Sequence, residues 1–143
     1  MSTPKPTPKP TPLIDRLHDD LNYPLLTLNT IKDFLLDNEH SVLFFTEDAN
    51  RFAESNDVAI VLPELIAVFP DLKPALIARD DEKKLQSMYG FTAWPALVFM
   101  RRDKYLNALT GIHDWSDYLT EIKQILTSQP SRPKSIGIPV VSH

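Results

Sequence analysis

Residues 91–99 read Phe-Thr-Ala-Trp-Pro-Ala-Leu-Val-Phe, FTAWPALVF, a proline approached from Gly90 and followed at once by an apolar strand. Only RRDK separates the run at 96–100 from a second one at 105–109. So short a link makes the two an antiparallel hairpin.

Working outward from the hairpin, the preceding stretch alternates strands with helices. SVLFFT at 41–46 is a continuous apolar run bounded by polar residues, the pattern of a central strand covered on both faces. An apolar-rich helix over 58–69 follows, started by an Asp57 cap and kinked at Pro63, which lacks an amide hydrogen. LKPALIAR at 72–79 gives a second buried strand; Asp80 then caps the helix DEKKLQSMYG, which Gly90 closes. Strand, helix, strand, helix is the order of parallel α/β construction.

Nearer the ends, Leu13, Ile14, Leu17 and Leu21 fall on one helical face, PLLTL at 24–28 reads as a short edge strand, and Asn29 or Thr30 caps a helix burying Ile31, Phe34 and Leu35. After Gly111, Asp114 caps a last helix with Asp117 in its first turn and Trp115, Leu119, Ile122 and Leu126 on one face. The expectation is one domain over 13–127, a disordered, polyproline-like arm at 1–12 (MSTPKPTPKPTP) and a largely irregular tail at 128–143.

Composition narrows the function. The 143 residues contain no cysteine, which excludes thiol redox catalysis, a thiol nucleophile and a thiolate metal site. All 19 acids lie between the terminal stretches, whose four cations are Lys5, Lys9, Arg132 and Lys134; the body therefore holds 11 basic residues against 19 acids, a balance of −8. That disfavours nucleic acid and suits a cationic partner, or simply keeps the chain soluble. No apolar run approaches the roughly 18 residues that cross a bilayer and no secretory signal is evident, so membrane insertion is not expected and a cytoplasmic location is. The four histidines show no metal-ligand spacing; neither metal nor cofactor is expected.

Taken in order, the strand at 41–46, the helix containing Pro63, the strand at 72–79, the helix ending at Gly90, Trp94-Pro95 and the terminal hairpin and helix resemble a thioredoxin-like domain. The resemblance implies a three-layer α/β/α fold with a mixed central sheet and a cis peptide bond before Pro95. Where that family carries Cys-x-x-Cys, this chain has Glu54-Ser55-Asn56-Asp57. Two carboxylates cannot relay electrons, and no nucleophile, base and acid arrangement is identifiable, so a binding module is expected rather than an enzyme. Glu54 and Asp57 as an acid and base pair would be the enzymatic alternative, on a weak signal.

A narrower likeness lies in ESNDVAIVLPEL, in FPDLKPALIARDDEKKLQSMYGFTAWPALVF and in LNALTGIHDW, which resemble the cysteine-free hydrogenase expression proteins of the HyaE/HupG group, with Asp114 where that group usually has proline. The resemblance implies a chaperone for an uptake nickel-iron hydrogenase that binds the small-subunit precursor or its twin-arginine signal peptide. Candidate partner-binding residues are Glu54, Asp57, Trp94 and Pro95, then Glu47, Asp48 and Glu64 as an acidic extension, and His113 and Trp115 from the family-like element. Trp94 would offer a face to an arginine. The competing expectation is a general peptide-binding scaffold whose proline-rich arm recruits the partner.

Overall fold

The structure, a computed structural model, describes residues 12–48 and 51–132; the arm, apart from Pro12, and the tail beyond Arg132 lie outside the described residues. Its centre is β2 (His40–Phe45), where strict alternation turns Val42 and Phe44 to one face and Leu43 and Phe45 to the other, all four without solvent exposure. β3 (Leu72–Ile77) pairs parallel with β2 on one side, and β4 (Ala96–Arg101) pairs antiparallel on the other. β1 (Leu25–Leu26) joins β3 in parallel and β5 (Lys104–Thr110) joins β4 antiparallel, giving the mixed order β1-β3-β2-β4-β5.

Both faces of this sheet are apolar, so both are covered. α1 (Pro12–Asp19), α3 (Glu54–Val68) and α5 (Trp115–Thr127) bring Leu17, Leu62 and Tyr118, among others, onto Val42, Phe44 and Phe99. α2 (Ile31–Asp37) and α4 (Glu82–Tyr89) bring Leu35, Leu85 and Tyr89 onto Leu43, Phe45 and Val98. Fully burying one such side chain contributes about 1.5–3 kcal/mol, so the two clusters supply the main drive to fold.

Several helix boundaries differ from the sequence reading. α3 starts at Glu54 with Ala53 as its N-cap, so Asp57 lies inside the first turn and caps nothing; Pro63 sits within the helix, which continues to Val68. Asp80 does not cap α4. It belongs to a 3₁₀ turn, Arg79–Asp81, that precedes the helix, and the carboxylate of the N-cap residue Asp81 accepts instead from the Leu28 amide at 2.9 Å. Gly90 does close α4, in the left-handed conformation at φ 74°. In α5 the buried face is Tyr118, Ile122 and Ile125, whereas Trp115 is 44% exposed; Asp114 holds the N-cap position without a side-chain cap bond.

The sheet's edges are blunted. β1 is only two residues long. Along β5 the carbonyls of Tyr105 and Leu106 accept from the amide and hydroxyl of Ser131, the amide of Ala108 donates to Oδ1 of Asn107, and a bulge leaves Leu106 without a cross-strand partner. Bulges and covered groups are devices that keep an edge from pairing with another chain.

Candidate functional site

The carboxyl ends of β2 and β3 open onto a corner built from the first turn of α3, the 91–95 approach to β4 and the turn after β5. The Trp94–Pro95 peptide bond is cis. The Pro95 carbonyl accepts from the Gly111 amide at 2.8 Å, and the Trp94 amide and carbonyl take no hydrogen bond from any other described residue. Gly111 has φ 72°, a region that favours glycine, and a Cβ there would stand 3.4 Å from Oε2 of Glu54. Glu54 and Pro95 thus share Gly111 as a neighbour, which brings the acid to the cis-proline turn.

The charge of Glu54 also reaches Tyr118 beneath the corner. Burial pushes the Tyr118 phenol above its ordinary range, and the charges of Glu54 and Glu121 push it the same way. Asp57 is exposed one turn along α3 from Glu54. Both acids lie at a helix amino terminus, where each stabilises the helix by about 0.3–1 kcal/mol, so they serve the fold whether or not they meet a guest.

The other candidates divide. Trp94 is half-buried, its ring edge-on to Phe91 at 5.5 Å and tilted against Phe52 at 6.3 Å, and its indole nitrogen is buried without a partner among the described residues. Beside it the guanidinium of Arg51 lies over the Phe52 ring, 5.4 Å from the ring centre. Glu47 turns inward: its backbone is left-handed at φ 49°, its amide donates to the Glu82 carboxylate at 3.1 Å, and its own carboxylate lies 3.6 Å from Arg79. A left-handed conformation costs an L-residue about 1–2 kcal/mol, so those contacts must hold it. The Asp48 carbonyl closes the following turn by accepting from the Arg51 and Phe52 amides. Glu64 is exposed ten residues further along α3 from Glu54, about 15 Å at the helical rise, and does not join the corner.

His113 is half-buried. Its Nε2 lies 2.9 Å from the Thr110 carbonyl, and its Nδ1 lies 3.3 Å from Oε2 of Glu121, an oxygen that has no hydrogen-bond partner among the described residues. On either side of it Ile112 (38%) and Trp115 (44%) are exposed apolar groups.

Three functional-site neighbours escaped the sequence reading: Ser55, Arg79 and Glu82. Ser55 is fully buried and donates to the Thr46 carbonyl at 2.7 Å, tying α3 to the end of β2. Glu82 is 2% exposed yet accepts from Glu47 and from Nη1 of Arg79 at 2.9 Å. Its carboxyl is raised above the usual carboxylate range, chiefly by burial and against these hydrogen bonds. Such residues in a run like RDDEKK look like solvated charge. No group of three or more His, Cys, Asp or Glu that could hold a metal occurs among the described residues, nor does a helix long and apolar enough to cross a membrane. The Ser55 hydroxyl is given to the Thr46 carbonyl, and no hydrogen bond links Ser55 or His113 to the carboxylate of Glu54 or Asp57 among the described residues. What the corner presents is negative charge, exposed apolar surface and unengaged backbone.

Solved structures agree on the class. Mitochondrial thioredoxin 3 of Saccharomyces cerevisiae aligns with a TM-score of 0.61 over 73% of this chain and 96% of its own at 17% identity, a likeness of fold alone, and the chain is a thioredoxin-like domain without the thiols. The family described as Hydrogenase-1 expression protein HyaE matches residues 13–118, and the chain belongs to it. The hydrogenase expression/formation protein HoxO of Azotobacter vinelandii is 48% identical over 117 residues, 82% of this chain and 79% of that protein. HupG of Rhodopseudomonas palustris, described by its crystal structure as a hydrogenase expression/formation protein, is 38% identical with a TM-score of 0.53 over 72% of this chain and 94% of its own.

Proposed function

We propose that this chain is a redox-inactive, non-catalytic chaperone of the cytoplasm that receives an extended, arginine-bearing segment of a hydrogenase small-subunit precursor, its twin-arginine signal peptide, at the Glu54–Pro95 corner. The observation that carries the reading is the convergence of Glu54 on Gly111 and Pro95. It sets a carboxylate where the scaffold otherwise places a thiol. A guanidinium can meet a carboxylate through two parallel hydrogen bonds, shorter and stronger than neutral ones. The unengaged amide and carbonyl of Trp94 offer backbone pairing to an extended guest, and the exposed Ile112 and Trp115 offer apolar contact beside the charge. With both sheet edges blunted, the Trp94 turn is the favoured place for such pairing.

The test is titration of this protein with a hydrogenase small-subunit precursor, with and without its signal peptide. Binding that requires the signal and survives deletion of residues 1–11 supports the reading. Binding lost with residues 1–11 places recognition in the proline-rich arm and rejects it, as does equal affinity for the precursor lacking its signal.

A further inference from the structure

We propose that Glu82 is a positioning residue for the docking corner, its buried carboxylate fixing the 46–48 turn and through it the first turn of α3. The inference rests on the docking reading above, since it concerns how that corner is held. Glu82 is the first residue of α4 and lies on the opposite side of the sheet from α3, so it touches no guest at the corner. It reaches the corner through the backbone at the end of β2, at Glu47 and at Thr46. Oε1 accepts from the Glu47 backbone at 3.1 Å, and Glu47 is the left-handed residue at which the chain leaves β2.

On the adjoining residue the Thr46 carbonyl accepts from the buried Ser55 hydroxyl at 2.7 Å, in the first turn of α3 next to Glu54. The turn is therefore gripped from both sides within two residues: by α4 at Glu47 and by α3 at Thr46. Arg79 completes the grip, 2.9 Å from one carboxylate oxygen of Glu82 and 3.6 Å from the carboxylate of Glu47. A buried carboxylate is expensive unless paired and hydrogen-bonded, and here its partners are the turn itself. Removing it leaves the Glu47 amide without its acceptor and Arg79 with one carboxylate in place of two. The turn then loses the contact that favours its left-handed conformation, and Ser55 and Glu54 shift with Thr46.

The test compares wild type, Glu82→Ala and Glu82→Gln by fluorescence titration with a synthetic hydrogenase small-subunit signal peptide containing its arginine pair, together with amide NMR spectra of the free proteins. Glu82→Ala is expected to raise Kd about tenfold, the loss matching one charge-assisted hydrogen bond, at unchanged stoichiometry. Glu82→Gln keeps an acceptor for the Glu47 amide and is expected to recover most of that affinity. Amide shifts at Glu47, Glu54 and Ser55 move in free Glu82→Ala while that of Leu17 stays. A Kd that does not change, or a loss confined to stoichiometry, overturns the inference by reducing Glu82 to a folding role. Should Glu82→Ala fail to fold, Arg79→Gln carries the same comparison. If wild type does not bind the peptide the docking reading fails, and the inference is then decided by the shifts in the free protein.

Discussion

Reversing the charge at Glu54 tests the corner most directly. Glu54 is exposed in the first turn of α3, so a guest guanidinium about 4 Å from its carboxylate gains about 1 kcal/mol in a water-like dielectric rather than the roughly 4 kcal/mol of a partly screened surface. Glu54→Lys replaces that gain by a repulsion of similar size, a change of about 2 kcal/mol or roughly 30-fold in Kd. Raising the ionic strength from about 0.1 M to about 1 M shortens the screening length from about 10 Å to about 3 Å, so the difference should shrink to a few-fold. Glu54→Gln should fall between the two. Fluorescence anisotropy with a labelled signal peptide at both ionic strengths reads all of this. A thermal melt covers the structural cost, about 0.3–1 kcal/mol for a cation at a helix amino terminus and a few degrees in Tm. Unchanged affinity, or a loss that persists undiminished in high salt, would refute the reasoning.

Gly111→Ala should lower stability by about 1–2 kcal/mol in urea unfolding through its φ of 72°, while the 3.4 Å approach to Glu54 adds only ordinary contact. A loss above about 4 kcal/mol would mean that the loop cannot absorb the added methyl group. For Glu82 the sign of the pH dependence is fixed: its folded carboxyl is raised by burial, so its stabilising contribution is full below the ordinary carboxylate range and is lost as pH climbs through the raised value. Glu82→Gln cannot ionise. The stability difference, variant minus wild type, should therefore rise between pH 4 and pH 7, conditions set in the assay; a flat or falling difference refutes it.

The strands were legible because their signal is local. A short continuous apolar run bounded by polar residues fits a covered strand, and SVLFFT falls in β2 apart from Thr46, with successive side chains buried on opposite faces. Thr30 and Asp114 hold the N-cap positions of α2 and α5 as expected, though neither makes a side-chain cap bond, whereas the starts of α3 and α4 differ. Ala53 starts α3 without a side-chain bond, and Asp81 gives its carboxylate to Leu28. In α5 the apolar positions form a stripe broad enough for two readings, and packing chose Tyr118 and Ile125 over Trp115, whose place in the first turn leaves it to solvent. The closeness of Glu54 to Pro95 was anticipated by analogy of position, whereas the inward turn of Glu47 depends on Glu82 and Arg79, 35 and 32 residues away in sequence, and spacing cannot announce such a partnership.

Ser131 and Asn107 occupy the carbonyls of Tyr105 and Leu106 and the amide of Ala108 on β5. If the proposed docking at the Trp94 turn holds, the domain must accept a foreign backbone there without zipping to its own kind. Engaging part of the long rim from within lowers the tendency of β5 to recruit copies of the same chain, while the short opening at the Trp94 turn stays accessible.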